Sequence, residues 1–512
     1  MTTSKVLVLL IAAIGLTACT EQLEIVPADD EVSALPESKR LHQFREIRVP
    51  PVVTSGDLSG TGVRIAIVGE IVDPNHPDLE GRIAKQFNSF VSRGELLPGI
   101  GSEPMLFEKY GANSGHGTHI AGIIAANCDG KGIQGIACGA RMDVYDIGVY
   151  EQAAEFVRTG WDAAAGDSMQ QIIIAAATAI DGITNRGISR IATGSFNIET
   201  PAVRLQHGGP LQDLSMTEIR KALESHDNSM PKIVSAGLVR LVDPADAVIL
   251  DRVAVASSDE DFVRTAPFLQ KSLEWRDLTK AIARFQRADG VYITTESNNL
   301  FEDRSSLLNA LPSLASNVDP GLWLSVVLAV PSDVMNDTAK RPRQPDQDST
   351  TNTVRPSMPS LHTPLNTCGR LAADYCILTP SYDVSSTMTE KVAERGMPLF
   401  RLDERDYQIF SGHSMGAPMV AATLALMEEK NQRSGYGYDM KILVQMLKTS
   451  ANRQFPNYDR VKHGWGMLDV TAALEAMDSE ATERDAAKRE DSGSHNRRMP
   501  DGDVTHVANE TS

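Results

Sequence analysis

The sequence lacks three features that would each point to one class of function. It has no excess of basic residues, because 49 lysines and arginines face 67 aspartates and glutamates and the formal net charge is −18. Nucleic-acid phosphates require clustered basic side chains, so this charge disfavours a nucleic-acid partner. The absence of a C-x2-C pair disfavours a zinc site. The sequence also has no internal repeat, which disfavours a repeat architecture.

The first 19 residues have the character of an export signal. Lys5 supplies a positive charge, and the apolar run at residues 6–15 is too short to span a bilayer comfortably. It ends in Leu-Thr-Ala-Cys, which resembles a bacterial lipobox whose cysteine, Cys19, is acylated; an ordinary signal peptide with a chance cysteine is the alternative. The pattern predicts a lipid-anchored protein of the bacterial cell envelope. In a Gram-negative cell, Thr20 in place of Asp favours the outer membrane, on its periplasmic or surface side.

Four cysteines remain once Cys19 is assigned to the lipid. They form two pairs that are close in sequence, and an oxidising compartment favours disulfides. We therefore predict the bonds Cys128–Cys138 and Cys368–Cys376. Free, buried thiols are the alternative.

Composition divides the 512 residues into a signal, a tether, one large folded domain and a tail. Residues 20–57 are polar and contain proline, which is typical of a tether. Residues 58–477 hold the motifs described below, and we assign them to one enlarged domain with insertions near 202–285 and 335–365. Residues 478–512 are charged and poor in apolar side chains, so we predict a disordered tail.

Short apolar runs alternate with helical stretches within this domain. Residues 62–68 (GVRIAIV), 142–147 and 188–196 are predicted strands, whereas 113–127 and 169–180 are predicted helices. This alternation indicates an α/β fold with a mostly parallel central sheet and helices on both faces. In such folds the active site lies at the carboxyl ends of the strands.

Two motifs carry residues suited to acyl transfer, which needs a nucleophile, a base and donors for the oxyanion. The first is Gly-His-Ser-Met-Gly at residues 412–416, which precedes an apolar helix. Pro418 is tolerated only in the first helical turn, so Ser414 is expected just before the helix begins. Free backbone N–H groups at that end can stabilise negative charge. Ser414 is therefore the candidate nucleophile.

The second motif is GHGTHIAG at residues 115–122. Its glycines allow close approach of the backbone. His116, at the helix start, can face a cleft while His119 lies deeper. Two histidines in a helix are an alternative metal pair, but no further acidic or histidine ligand lies nearby in the sequence. We therefore predict no metal ligands and take His116 as the candidate general base.

Together these blocks resemble the histidine and serine blocks of the subtilase family (subtilisin-like, peptidase S8). The segments GVRIAIV and HPDL within residues 62–79, TGSFN at 193–197 and GWGMLD at 464–469 follow the chain order of that family. A closer resemblance is to the subtilase domains of bacterial autotransporter proteases, whose cysteine-pair segment is similar to residues 367–380. The similarity covers about residues 55–475.

The resemblance implies a subtilisin-like fold and a serine endopeptidase that cleaves proteins or peptides through an acyl-enzyme on Ser414, with His116 as the base. It implies no organic cofactor. Many subtilases bind structural calcium, but we find no ligand set for it in this sequence. We expect the protein to act as a monomer.

The resemblance also implies two binding positions. Ser195 would lie on the strand edge where a substrate peptide pairs in extended form. The oxyanion asparagine would end a buried strand, and two segments compete for that place. Residues 291–298 end in Asn298, which we prefer, whereas residues 233–238 resemble the strand but end in leucine.

One position departs from the family in a way that affects catalysis. The triad aspartate of subtilases follows the first strand, and anchoring on HPDL puts Gly69 there. Glycine cannot hold the imidazole tautomer or balance its charge. Glu70 is a candidate surrogate acid, although neighbouring strand residues point to opposite faces, and Asp73 is another. Three further positions differ from the usual Thr, Ala and Gly of the family: His413, Gly416 and Ser381.

Two other functions stay open. Without the aspartate, the scaffold could be an inactive pseudopeptidase that serves as a binding module in the envelope. Gly-His-Ser-Met-Gly also satisfies G-x-S-x-G, the nucleophile elbow of α/β-hydrolase esterases. That fold needs a hydrophobic strand directly before Ser414 and a histidine after it. Residues 406–410 are a weak strand, and His463 is the one histidine between Ser414 and the predicted tail.

Overall fold

The structure is a computed structural model that describes most of the predicted domain. The predicted signal with Cys19, most of both predicted insertions and Asn298 lie outside the described residues. The described residues are 42–89, 91–92, 95–96, 115–147, 161–196, 263, 273–296, 305–331, 362–364, 367–389, 400–402, 405–455 and 457–495.

The strands of the described residues, in chain order, are β1 Arg64–Gly69, β2 Ile83–Asn88, β3 Val91–Ser92, β4 Glu95–Leu96, β5 Arg141–Asp146, β6 Ile191–Gly194, β7 Val291–Thr295, β8 Trp323–Pro331, β9 His362–Pro364, β10 Cys376–Thr379, β11 Val384–Thr387, β12 Phe400–Leu402 and β13 Arg405–Phe410. The central sheet has the order β10-β8-β7-β6-β1-β5-β2, and β9 adds to β8. All neighbours along that order pair in parallel, and only β9 is antiparallel. A separate antiparallel sheet has the order β11-β13-β12, and β3 pairs with β4.

The helices of the same residues are α1 His42–Glu46, α2 Pro51–Thr54, α3 Gly115–Ala125, α4 Trp161–Arg186, α5 Leu273–Arg287, α6 Leu311–Leu314, α7 Gly369–Ala372, α8 Gly416–Ser434, α9 Met440–Ser450, α10 Arg460–His463 and α11 Val470–His495. Short 3-10 turns lie at Pro77–Leu79, Pro320–Leu322 and His413–Met415. No helix of the described chain is long and apolar enough to cross a membrane.

The central sheet buries both of its faces, as β1 illustrates. Ile65 and Ile67 belong to a core shared with α3, α8 and α9, whereas Ala66 and Val68 belong to a second core shared with α4 and α5. Successive strand residues alternate between the two faces, so an apolar strand such as β1 can serve both cores. The predicted α/β fold, with a mostly parallel sheet and helices on both faces, is confirmed.

The predicted tether is wrong for residues 42–57, which pack on the domain. Ile47 is fully buried in the core, and its carbonyl accepts the N–H of Val470 at 2.8 Å. Arg48 forms an ion pair with Asp469 at 2.6 Å. The segment is polar on average, but it finds partners more than 400 positions away in the chain, as the Arg48–Asp469 separation of 421 shows. Average composition cannot reveal such a partner.

The predicted disorder is wrong for residues 478–495, because α11 continues through them. Arg484 pairs with Glu480 at 2.8 Å, one turn earlier, and its guanidinium lies 4.6 Å from the ring centroid of Tyr438. Low hydrophobicity argues against a separate core. It does not prevent a helix from extending out of its packed first turns when i,i+4 ion pairs support it.

The bounds of the two predicted insertions stay predictions, because most of their residues lie outside the described ones. Most of α5 lies inside the predicted 202–285 insertion, where helix candidates were expected, and it packs against α4 and buries Trp275 completely. β9 lies inside the predicted 335–365 loop, yet it pairs with β8. In α5, apolar side chains recur every three or four residues, which is typical of a helix with one buried face.

The two disulfides join the predicted pairs. The Cα atoms are 5.7 Å apart in Cys128–Cys138 and 5.9 Å apart in Cys368–Cys376. The first closes the loop that follows α3, and the second joins the residue before α7 to the first residue of β10. Both bonds therefore support segments that enter or leave central elements of the fold.

Candidate active site

The carboxylate of Glu70 and the imidazole of His116 meet at the carboxyl end of β1. Glu70 Oε1 lies 2.9 Å from His116 Nδ1, and Glu70 Oε2 accepts the N–H of Gly117 at 3.1 Å. The side chains of His116 and Glu70 are only 7% and 10% exposed. A carboxylate at Nδ1 favours the tautomer with its proton on that nitrogen, which leaves the basic lone pair on Nε2.

Glu70 reaches the imidazole because β1 ends one residue earlier, at Gly69. The alternation of strand side chains therefore does not apply to Glu70, which lies in a bend. Helix α3 also comes unusually close, since a Cβ at Gly117 would lie 2.5 Å from the Ile71 carbonyl oxygen and 2.9 Å from that of Glu70. A glycine at this position thus permits the approach that the carboxylate contact needs.

The other two positions considered for the acid do not contribute a carboxylate to His116. Gly69 has no side chain, and a Cβ added there would meet no atom within 4 Å. The Asp73 carboxylate accepts the N–H of Asn75 at 2.9 Å, within its own turn. Thus the position aligned with the aspartate of subtilases has room for a side chain, but the carboxylate that contacts His116 comes from the next residue.

Ser414 lies in the 3-10 turn His413–Met415, directly before α8. This turn contacts α3, the helix that begins next to His116. The Ser195 hydroxyl donates to the Ser414 carbonyl at 3.0 Å, and the Ser414 hydroxyl donates to the Ser195 carbonyl at 3.5 Å. Pro418 is the third residue of α8, in agreement with its expected place in the first turn. The fold thus brings together the turn of Ser414, the helix of His116 and Ser195.

The neighbouring histidines are both buried and have structural contacts. His119 Nε2 lies 3.0 Å from the Val384 carbonyl oxygen and 3.1 Å from that of Gln408, so it bridges β11 and β13. His413 Nδ1 accepts the N–H of Leu328 in β8 at 2.8 Å. Burial lowers the pKa of His119 and that of His413 to about 3. Both imidazoles are therefore neutral at physiological pH, and neither is suited to act as a second base.

Three contacts of the site were not predicted from the sequence. Glu296 follows β7 and is buried, and its carboxylate accepts the N–H of Ser306 at 2.9 Å and the Asn309 amide at 2.7 Å. Its signal was a lone acidic residue at the end of an apolar strand. The His413 contact with Leu328 had no signal, because the partner is a backbone group. The third contact is the close packing of Gly416 on Thr379. It also had no signal, because the two residues are distant in the chain.

Comparison with known proteins finds similarity to subtilases over part of the chain. A family model described as the subtilase family matches residues 60–222. Fervidolysin from Fervidobacterium pennivorans is 43% identical over 86 residues, which are 17% of this chain and 11% of that protein. An intracellular serine protease from Paenibacillus polymyxa is 31% identical over 124 residues, 24% of this chain and 33% of that protein.

Over these segments the chain is similar to the subtilase family. It spans about 11% of the length of fervidolysin and 33% of that of the Paenibacillus polymyxa relative. The crystal structure of fervidolysin aligns with a TM-score of 0.48 at 16% identity, over 86% of this chain and 48% of that chain. The prenylagaramide maturation protease PagA aligns with a TM-score of 0.42 at 16% identity, over 86% and 99%. The resemblance to autotransporter domains stays a prediction.

In this chain, the strand before Ser414 belongs to the antiparallel β11-β13-β12 sheet. The elbow of an α/β-hydrolase joins a strand of its main sheet directly to the nucleophile helix. β13 does not meet that requirement. His463 Nδ1 contacts the backbone of Asp459, at 2.8 Å from its nitrogen and 2.9 Å from its carbonyl oxygen, beside α10 rather than beside Ser414. The esterase alternative is therefore not supported, because no strand of the central sheet leads directly into the helix after Ser414.

The candidate oxyanion residue, Asn298, lies outside the described residues, as does the competing segment 233–238. β7 ends at Thr295, three positions before Asn298, and is fully buried. The assignment of Asn298 therefore stays a prediction. No group of three or more His, Cys, Asp or Glu side chains in the described part of the chain could hold a metal ion.

Proposed function

We propose that this chain is a serine endopeptidase of the subtilase type, with a Glu70–His116–Ser414 triad. The observation that carries the proposal is the Glu70 carboxylate, 2.9 Å from His116 Nδ1. In serine peptidases an acidic group at this nitrogen holds the imidazole in the reactive tautomer and stabilises the imidazolium that forms. Glu70 would therefore supply what Gly69 cannot.

In the proposed reaction the Ser414 hydroxyl attacks the carbonyl carbon of the substrate while its proton passes to His116 Nε2. The carbonyl π bond becomes an oxyanion, which backbone N–H groups at the start of α8 and the Asn298 amide would stabilise. His116 then gives its proton to the leaving amine as the C–N bond breaks. Water, deprotonated by the same imidazole, cleaves the ester on Ser414 and restores the serine.

The proposed substrates are proteins or peptides bound in extended form. Ser195 follows β6, and its carbonyl and hydroxyl already contact the Ser414 residue. Backbone groups at such an edge can pair with an extended peptide. The reaction needs no organic cofactor.

Active-site labelling with a fluorophosphonate probe tests the proposal. The wild-type protein should be labelled, and it should cleave a set of quenched fluorescent peptides. Ser414→Ala should abolish both signals while the unfolding midpoint stays close to that of the wild type. Labelling that persists in Ser414→Ala would contradict the assignment of the nucleophile.

An inactive binding module is the second candidate, and the observation that favours it is Gly69. It predicts no labelling and no peptide cleavage by the wild type. The open space at Gly69 makes a sharp version of this test possible, because an added side chain meets no neighbour within 4 Å. If Gly69→Asp gains labelling that the wild type lacks, the wild-type scaffold is a pseudopeptidase.

We also propose that the protein is held in the bacterial envelope by a lipid on Cys19. The lipobox-like sequence at residues 16–19 and the two disulfides support this proposal. Metabolic labelling with an alkyne fatty acid should mark the wild type but not Cys19→Ser, and membrane fractions should lose the variant. Light scattering of the detergent-free Cys19→Ser protein should give the mass of a monomer.

A further inference from the structure

The residues around the nucleophile, 412–416, form a segment that we call the nucleophile turn. Three contacts hold it against β8 and the end of β10. The N–H of Gly412 donates to the Ser381 carbonyl at 2.9 Å. The N–H of Leu328 donates to His413 Nδ1 at 2.8 Å. At Gly416 the backbone packs so closely that a Cβ would overlap Thr379 Oγ1.

The N–H of Leu328 points to the side of β8 on which β7 lies, and β7 offers it no carbonyl acceptor there. β7 pairs with β8 up to Thr295–Val326, and the next N–H, from Glu296, donates to the Val326 carbonyl at 2.9 Å. Residues two apart in a strand present their backbone groups to the same side, so Leu328 faces the side of β7 beyond its last pair. Leu328 is 3% exposed. A buried N–H needs an acceptor, and His413 provides it.

The hydrogen bond also defines the state of the imidazole. An Nδ1 that accepts an N–H carries its lone pair there, so the ring proton is on Nε2. The fully buried ring is neutral because burial lowers its pKa to about 3. His413 is therefore a fixed acceptor rather than a proton carrier.

We propose that His413 is a positioning residue, whose hydrogen bond to the Leu328 N–H fixes the nucleophile turn on β8 and so aims the adjacent Ser414. This inference rests on the proposed peptidase function and extends it. Attack by a serine depends on the orientation of its hydroxyl, and a displacement of about 1 Å can cost on the order of 100-fold in rate. A residue bonded to the sheet directly before the nucleophile restricts such displacements.

Two substitutions separate the hydrogen bond from the size of the side chain. In His413→Asn, Oδ1 stands the same number of bonds from Cα as Nδ1 and can accept the Leu328 N–H. His413→Leu fills similar space but has no acceptor. In peptide cleavage by the full chain, kcat of His413→Asn should stay within about fivefold of wild type, whereas kcat of His413→Leu should be about 100-fold lower. KM should stay within about threefold of wild type in both variants.

His463 is a matched control. It is also buried, and its Nδ1 also contacts the backbone, 2.8 Å from the Asp459 nitrogen and 2.9 Å from the Asp459 carbonyl oxygen, but it lies in α10, which packs on α7 and β10. His463→Leu should leave kcat unchanged. The proposal is overturned if His413→Leu keeps wild-type kcat, or if Asn and Leu at position 413 lower kcat equally.

A spectroscopic readout keeps the test decisive if His413→Leu does not fold. In the wild-type protein, 15N chemical shifts of the histidine rings should show a neutral His413 with its proton on Nε2, and exchange of the Leu328 amide should be slow. A proton on Nδ1 would overturn the proposal. Fluorophosphonate labelling of the wild type tests the peptidase function separately, so failure of that function is distinguishable from failure of the role of His413.

Discussion

The two halves of the candidate site depart from the subtilase pattern in different ways. In the acid–base half, Gly69 lacks the carboxylate, and Glu70 brings one to His116 from the next position. In the nucleophile half, Ser414 keeps its place while its neighbours differ. The first half therefore depends on one charged group, whereas the second depends on how closely a turn fits the sheet.

The surroundings of the two glycines show this difference most clearly. Gly69 faces open space, so a side chain there would meet no neighbour. Gly416 is tightly enclosed, because a Cβ would overlap Thr379 Oγ1 and lie 2.7 Å from Val326 Cγ1 and 3.3 Å from Ser381 Oγ. Glycine in place of alanine at 416 and serine in place of glycine at 381 are thus compatible with each other. The acid–base half keeps a carboxylate at His116 because Glu70 extends to it. The nucleophile half keeps its turn in place because Gly416 packs closely on Thr379.

The largest expected effect comes from removing the charge of the acid–base half. Glu70→Gln keeps the size of the side chain but cannot stabilise the imidazolium, so kcat should fall about 10³–10⁴-fold. Asp73→Asn is the matched control, because that carboxylate accepts the N–H of Asn75 within its own turn, and its kcat should stay within about twofold of wild type. Steady-state kinetics on one peptide substrate measures both.

A second substitution sharpens this prediction. Because Gly69 has open space beside it, Gly69→Asp in the Glu70→Gln background should recover part of the lost kcat. If Glu70→Gln retains wild-type kcat, Glu70 is not the acid of the triad.

In the nucleophile half, substitutions should mainly change the free energy of unfolding. Gly416→Ala places a methyl group against Thr379 and Val326, and overpacking of this kind costs about 1–3 kcal/mol in the free energy of unfolding. Thr379→Ala removes the overlapping hydroxyl, so the double variant should be less destabilised than the sum of the two single variants. Denaturation in urea measures all four proteins. Equal midpoints for wild type and Gly416→Ala would show that the turn is not tightly fitted.

The buried histidines give the nucleophile half a dependence on pH. His413 has a pKa of about 3 in the folded protein and about 6.5 when unfolded. Between these values the unfolded chain binds one more proton, so stability is complete above about pH 6.5 and decreases as pH falls towards 3. His119 adds a second proton in the same window.

His413→Asn isolates one of these protons. Loss of one linked proton removes a factor of about ten per pH unit from the change in the unfolding equilibrium constant. The pH dependence of the variant should therefore be shallower than that of the wild type across this window. Thermal or urea denaturation between pH 7 and 4 measures the difference. Parallel curves for the two proteins would mean that His413 is protonated in the folded state.

The smallest effect is expected at Gly69. Its Cβ would meet nothing within 4 Å, and glycine in a strand is less stable than alanine by about 0.5–1 kcal/mol. Gly69→Ala should therefore raise the unfolding midpoint slightly and leave kcat unchanged. A marked loss of kcat would indicate that the space beside Gly69 is used by the substrate.

Sequence reasoning succeeded where the decisive interactions are local. Apolar runs interrupted by helical stretches indicated the α/β sheet, and the short spacing of Cys128–Cys138 and Cys368–Cys376 indicated the disulfides. The motifs around His116 and Ser414 identified two helices that contact each other in the fold. All of these signals lie within about a dozen residues of chain, which is the range over which sequence patterns carry physical meaning.

Contacts between distant segments were decided by the tertiary structure alone. Whether Glu70 reaches His116 depends on the end of β1 at Gly69 and on the close approach of α3. Whether residues 42–57 are a tether depends on their contacts with residues near 470, and the end of α11 depends on its packed first turns. Sequence determines which groups are present, but their chemistry requires a distance of about 3 Å. Only the folding of the chain brings groups so far apart in sequence to that distance.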